Sequence, residues 1–234
     1  RVSARAMLER LLAGPFPDKS TVHFYLGEIE EEEKQYGAAL SHYQQVIAGD
    51  HYLAAKGRAA LILTRQGRFD EALSMLRQSK AQTKEERFRL GLAEAGVLRE
   101  AKRSGEAFEV LEQLLKESPD DPELLYESAL TAERLGRLEV FEARLRRLIA
   151  LKPEDAHALN ALGYSLADRN VRLDEAYDLI KKASDLKPQN PFIMDSLGWI
   201  LFRQGKVEEG LQLLQAAYKL RPDPEIAAHI GEVL

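Results

Sequence analysis

The sequence predicts an all-α fold of repeated antiparallel helix pairs, and three observations carry that prediction. Small residues recur at nearly constant spacing along the whole chain. Apolar residues follow the helical period, as in Leu159, Leu162 and Leu166 or Leu211, Leu214 and Tyr218, and no stretch alternates with period two. Proline and glycine fall between the periodic segments and not inside them.

Two interleaved series define the repeat. One holds Gly27, Ala60, Ala95, Ala129, Gly163, Gly198 and Gly231; the other holds Ala39, Ala72, Ala107, Phe141, Ala176 and Gly210, with steps of 33, 35, 34, 35 and 34. A site that carries no more than a methyl group, repeated at fixed spacing, is what two helices need where their backbones cross closely. Gly27, Ala39, Ala60, Ala72, Ala95, Ala107, Ala129, Gly163, Ala176, Gly198 and Gly210 are therefore the expected helix-crossing positions. Phe141 is the departure from the second series.

Punctuation then sets the elements in order. Residues 1–19 read as the second helix of a preceding repeat, 20–52, 53–87, 88–121, 122–155, 156–190 and 191–223 as six repeats, and 224–234 as the first helix of a truncated one, in a single array over 1–234. Pro119, Pro122, Pro153, Pro188, Pro191, Pro222 and Pro224 lie between repeats, where a missing N–H does least harm. Gly67, Gly136 and Gly205 lie within repeats, where a C-cap glycine belongs. Ile226, Ile230, Val233 and Leu234 would lack a covering helix, so self-association through the truncated ends is expected.

Composition removes several function classes. Apolar residues make up 45% and charged residues 30%, as a folded chain requires. A net charge of −5 argues against nucleic acid as the partner. Cysteine is absent, so no disulfide, thiolate nucleophile or Cys-ligated zinc is expected, and no apolar run is long enough to span a membrane. The five histidines, His23, His42, His51, His157 and His229, lack metal-ligand spacing. Gly163-Tyr164-Ser165-Leu166-Ala167 imitates a nucleophile elbow but sits mid-helix with no strand before it. Neither metal, cofactor nor enzymatic activity is expected.

The strongest copies read Leu159, Leu162, Gly163, Leu166, Ala176, Ile180, Pro188 and then Met194, Leu197, Gly198, Leu201, Gly210, Leu214, Pro222. This pattern resembles the tetratricopeptide repeat (TPR), and the resemblance runs through the chain, with Glu30, Glu94, Ser128 and Phe141 departing from it. It implies a right-handed superhelical solenoid of stacked antiparallel helix pairs, with a concave groove lined by the first helices that binds a protein or peptide. Carried over position by position, the groove residues are Tyr126, Leu130 and Arg134, Asn160 and Tyr164, and Asp195, Trp199, Phe202 and Arg203, with His157 and Phe192 beside them. Tyr126, Tyr164, Trp199 and Phe202 have the character of interface anchors. Trp199 and Phe202 fit a second reading equally well, as plugs between adjacent repeats. Glu28, Glu31 and Glu32 would make the N-terminal lining acidic, or form a solvated face; Arg144, Arg146 and Arg147 are expected to face water. Of the cations and amides that grip chaperone tails in this family, Asn160 and Arg203 alone have counterparts here, so that role is rejected.

The run ALNALGYSLADRNVRLDEAYDLI, then MDSLGWILFRQGK and RPDPEIAAHIGEVL, is similar to Gram-negative envelope TPR lipoproteins that act as adaptors of C-terminal processing proteases. That resemblance implies a non-catalytic periplasmic scaffold. It would dock such a protease and its substrates, cell-wall hydrolases, and be anchored to the outer membrane through an upstream lipidated segment; a cytoplasmic location stays open. The alternative is the regulatory array of a larger enzyme, such as a glycosyltransferase.

Overall fold

The computed structural model describes residues 2–234, with side chains from Ala4 onward. Among the described residues the chain forms fourteen α-helices and no strand. It divides into two compact units, Arg1–Glu117 and Ser118–Leu234. The first holds α1 (Val2–Ala13), α2 (Lys19–Glu32), α3 (Tyr36–Gln44), α4 (Tyr52–Arg65), α5 (Phe69–Gln78), α6 (Lys84–Glu100) and α7 (Ser104–Glu117). The second holds α8 (Pro122–Arg134), α9 (Leu138–Leu151), α10 (Ala156–Asp168), α11 (Leu173–Leu186), α12 (Pro191–Arg203), α13 (Val207–Leu220) and α14 (Pro224–Val233). Within each unit the helices pair as hairpins, α2 with α3, α4 with α5, α6 with α7, α8 with α9, α10 with α11 and α12 with α13, and hairpins stack on their neighbours.

Helix starts and stops follow two chemistries. The first helices of most hairpins open on a side-chain cap that accepts backbone N–H bonds: Asp18, Thr83, Asp121, Asp155 and Asn190, and likewise Asp223 before α14. Thr83 and Glu86 complete a capping box. The turn inside each hairpin is closed by backbone alone. A residue at positive φ, Lys34, Gly67, Lys102, Gly136, Asn170 or Gly205, ends the first helix. The next N–H then returns to a carbonyl five residues back, as in Arg68 to Leu63, Arg103 to Leu98 and Lys206 to Leu201, all at 2.8–2.9 Å. The sequence shows this device only where glycine supplies it. Between α10 and α11 the turn carries one extra residue, and a second left-handed residue, Arg172, follows.

All eleven helix-crossing residues are buried. A Cβ on Gly163 would stand 2.6 Å from Ile180 and 3.0 Å from the Ala176 carbonyl, and one on Gly27 would stand 2.7 Å from the Tyr43 ring. Gly231, in contrast, faces open space. Phe141 is wholly buried in spite of its size. Its partner helix α8 buries Ser128, Ala129 and Ala132, so small residues on one helix make room for the ring on the other.

Candidate functional site

In the second unit the expected groove residues lie on α8, α10 and α12. Tyr126 and Leu130 are half-buried and Arg134 is exposed on α8. Burial, with the nearby Asp155 carboxylate, pushes the Tyr126 phenol up. A shallow recess joins Tyr126 to Pro122, Glu123, Lys152, Asp155 and His157, whose Nε2 lies 2.8 Å from Lys187 Nζ. Asn160 is half-buried and its Oδ1 is enclosed without a hydrogen-bond donor. Phe192 is exposed, with the Arg221 guanidinium 4.8 Å from its ring. Phe202 is half-buried, 5.3 Å from Trp199. Arg203 donates to the Asp168 carbonyl at 3.1 Å, and its Nε is enclosed without an acceptor.

Asp195 and Trp199 are not open groove residues: they are 5% and 2% exposed because α14 lies over them. His229 of α14 stacks on the indole with centroids 4.4 Å apart and places Nδ1 2.9 and 3.0 Å from the two Asp195 oxygens. Its Nε2 lies 3.3 Å from the Tyr164 hydroxyl of α10, which also reaches Glu225 at 3.2 Å. Trp199 is thus the plug of the second reading, and Tyr164 spans from α10 to α14 in place of standing free as an anchor. Burial acts against a charged His229 ring, but the Asp195 carboxylate outweighs it and raises the imidazole above its ordinary value. Burial and the Glu225 and Asp168 carboxylates push the Tyr164 phenol upward.

The C-terminal helix carries less free apolar surface than expected. Ile226 and Val233 are buried inside the chain and Ile230 is half-buried, while Leu234 is 85% exposed. The predicted self-association face is largely used in packing α14 onto α12 and α13.

Glu28, Glu31 and Glu33 are ion-paired between repeats. Arg58 of α4 binds Glu28 at 3.1 Å and Glu31 at 3.0 Å, Tyr43 donates to Glu31 at 2.7 Å, and Arg5 of α1 binds Glu33 at 2.8 Å. Glu28 and Glu31 therefore sit between packed helices and not as a free acidic lining. Arg146 and Arg147 are likewise engaged, Arg146 with Glu142 and Glu175 and Arg147 with Asp120. Glu142 also takes Arg172, and these hydrogen bonds hold its carboxyl at about 2.

The remaining chemistry is structural. Ser165 is buried within α10 and bonded to Glu133, so it presents no exposed nucleophile. His23 and His42 face each other, Nδ1 to Nδ1, at 2.8 Å, and His51 stacks on Phe24. Among the described residues no group of three or more His, Asp or Glu side chains is arranged to hold a metal ion, and no helix is long and apolar enough to cross a membrane. The role of His229 is not among the sequence expectations. A single histidine on an amphipathic helix carries no signal of a partner one repeat away, even with Asp195 in plain view.

Comparison with known proteins adds the family. The description "Tetratricopeptide repeat" matches residues 3–54, 58–122 and 98–163. A TPR repeat-containing protein of Pseudomonas aeruginosa is 41% identical over 210 residues, 90% of this chain; the chain spans 36% of that relative's length. A crystal structure of a tetratricopeptide repeat protein from Parabacteroides merdae superposes with a TM-score of 0.67 at 16% identity, covering 92% of this chain and 88% of the other. The APC/C hetero-tetramer Cut9-Hcn1 superposes with a TM-score of 0.69 at 14% identity, covering 99% of this chain and 46% of that one. At these identities the two structures speak for the fold alone.

Proposed function

Because this chain belongs to the tetratricopeptide-repeat family, whose members generally serve as protein-interaction scaffolds, we propose that it binds a partner protein or peptide along α8, α10 and α12 and does no chemistry of its own. The observation that carries this reading is the mixed lining of that face. Tyr126, Leu130 and Phe202 leave apolar surface half open, and the half-buried polar side chains of Asn160 and Arg203 belong to the same helices, α10 and α12. Aromatic area interleaved with single polar groups is the composition of a protein-binding hot spot.

The finer proposal is an adaptor of a bacterial envelope protease. The array would dock a C-terminal processing protease and bring cell-wall hydrolases to it, from the periplasmic face of an outer membrane to which an upstream segment anchors it. Its support is the resemblance of the runs from Ala158 to Ile180, from Met194 to Lys206 and from Arg221 to Leu234 to such adaptors. Capture from envelope extract with wild-type chain and Tyr126→Ala/Phe202→Ala tests the face. The expected result is a protease and its substrates retained by the wild type and lost by the double variant. Identical retained proteins would remove the face, and a set lacking any protease would remove the adaptor role while leaving the scaffold.

A further inference from the structure

We infer that Asp195, His229, Tyr164 and Glu225 form a proton-operated clasp, which holds α14 against α10 and α12 while the imidazole is charged and loosens it when the imidazole is neutral. The inference stands on hydrogen-bond arithmetic and is independent of the partner proposed above.

Charged histidine has two N–H donors and ionised carboxylates have none. Nδ1–H therefore donates to Asp195 and Nε2–H to the Tyr164 oxygen, which frees the Tyr164 hydroxyl proton for Glu225, and all three contacts at 2.9, 3.3 and 3.2 Å are satisfied together. In the neutral ring the one remaining proton stays on Nδ1, facing Asp195, and Nε2 becomes an acceptor. Tyr164 has one hydroxyl proton and now two acceptors, so either the Glu225 link is lost or a buried ring nitrogen stands unpaired. Both alternatives detach α14 from α10 at one point. The ion pair to Asp195 of α12 falls at the same time to a hydrogen bond with charge on the carboxylate alone.

The groups around the ring reinforce this direction. Asp195 faces it from α12, Tyr164 from α10, and Glu225 and Glu232 act on it from α14 itself. These three charged groups are acids, and together they raise the imidazole in spite of its burial. On its far side the ring covers Trp199, whose Nε1 is buried without an acceptor. A donor left unsatisfied in the closed state favours opening, since water can reach it once α14 moves. Opening uncovers Trp199 and Asp195 together.

Trp199 is the one tryptophan of the chain, so its fluorescence reports on the clasp directly. Acrylamide quenching should be weak at about pH 6 and rise at least twofold by about pH 9, with a midpoint above the ordinary histidine value of roughly 6.5. His229→Gln should be readily quenched at both pH values with no transition. Glu225→Gln, a change at an exposed position, should keep the transition but move its midpoint to lower pH. Quenching that does not change with pH in the wild type, or a wild-type transition retained in His229→Gln, overturns the clasp. Should circular dichroism show His229→Gln unfolded, Glu225→Gln decides, and an unshifted midpoint there overturns it equally.

Discussion

Gly198 and Gly210 meet backbone to backbone across the α12–α13 hairpin: a Cβ on Gly210 would stand 2.6 Å from the Gly198 carbonyl oxygen, and one on Gly198 would stand 2.9 Å from that of Gly210. Neither obstacle is a flexible side chain that could swing aside. Gly210→Ala should therefore separate the helices and cost about 1–3 kcal/mol in urea unfolding. Gly96, in the interior of α6, has nothing within 4 Å of its missing Cβ, so Gly96→Ala should add about 0.5–1 kcal/mol through helix propensity. The two substitutions are chemically identical and opposite in sign, and equal effects would remove the crossing argument.

Left-handed turn residues give a second contrast. Lys34 and Lys102 adopt φ of 62° and 59° at the positions where other hairpins place glycine. An L-residue with a Cβ is disfavoured there by about 1–2 kcal/mol. Lys102→Gly should raise the urea midpoint by an amount worth roughly 0.5–1 kcal/mol after the added freedom of the unfolded chain is deducted. Lys102→Ala should leave it unchanged, because the strain belongs to the Cβ and not to the ammonium.

Acid should act first on the α2–α3 hairpin. Burial, with His42 and Lys19 nearby, holds His23 below its ordinary value, so the folded state binds the proton more weakly than the unfolded chain does. Stability is then fully present above the unfolded value of about 6.5 and is lost as pH falls through the folded one. Melting temperature should drop between about pH 7 and about pH 5, and His42→Gln, which removes the opposing charge, should flatten that slope. A slope unchanged by His42→Gln would refute the pairing.

The ion network of Glu142 with Arg146 and Arg172 responds in the same direction at lower pH. Its carboxyl, held at about 2, contributes stability above the ordinary carboxylate range that disappears as pH falls toward that value. Glu142→Gln should cost about 1 kcal/mol at neutral pH, and the loss should shrink in high salt, as expected for pairs near the surface. A salt-independent loss would point to packing instead.

The hairpins were legible in the sequence because steric exclusion leaves a mark at fixed spacing: Gly163 and Gly198 can carry no side chain where they stand. Capping was half legible. Asp121 and Asn190 announce helix starts, but the turns at Lys34, Lys102 and Asn170 use a backbone conformation that their side chains do not advertise. The lining of the candidate face was legible as a set of positions on α8, α10 and α12, but its exposure was not. Whether Trp199 is open depends on how closely α14 approaches, which is fixed by His229 and Asp195 jointly and by neither alone. Pairings of this kind leave no periodic trace.

The link from Tyr164 to His229 joins residues 65 positions apart, whereas each hairpin turn closes within a handful. Closing long loops costs more entropy and comes later, so a chain leaving the ribosome will zip its turns in order of synthesis and join α10 to α14 only after the hairpins between them have closed. A nascent chain stalled before residue 224 would already hold α10 to α13 as paired rods, with the indole of Trp199 still bare to solvent. Its burial would mark the docking of α14.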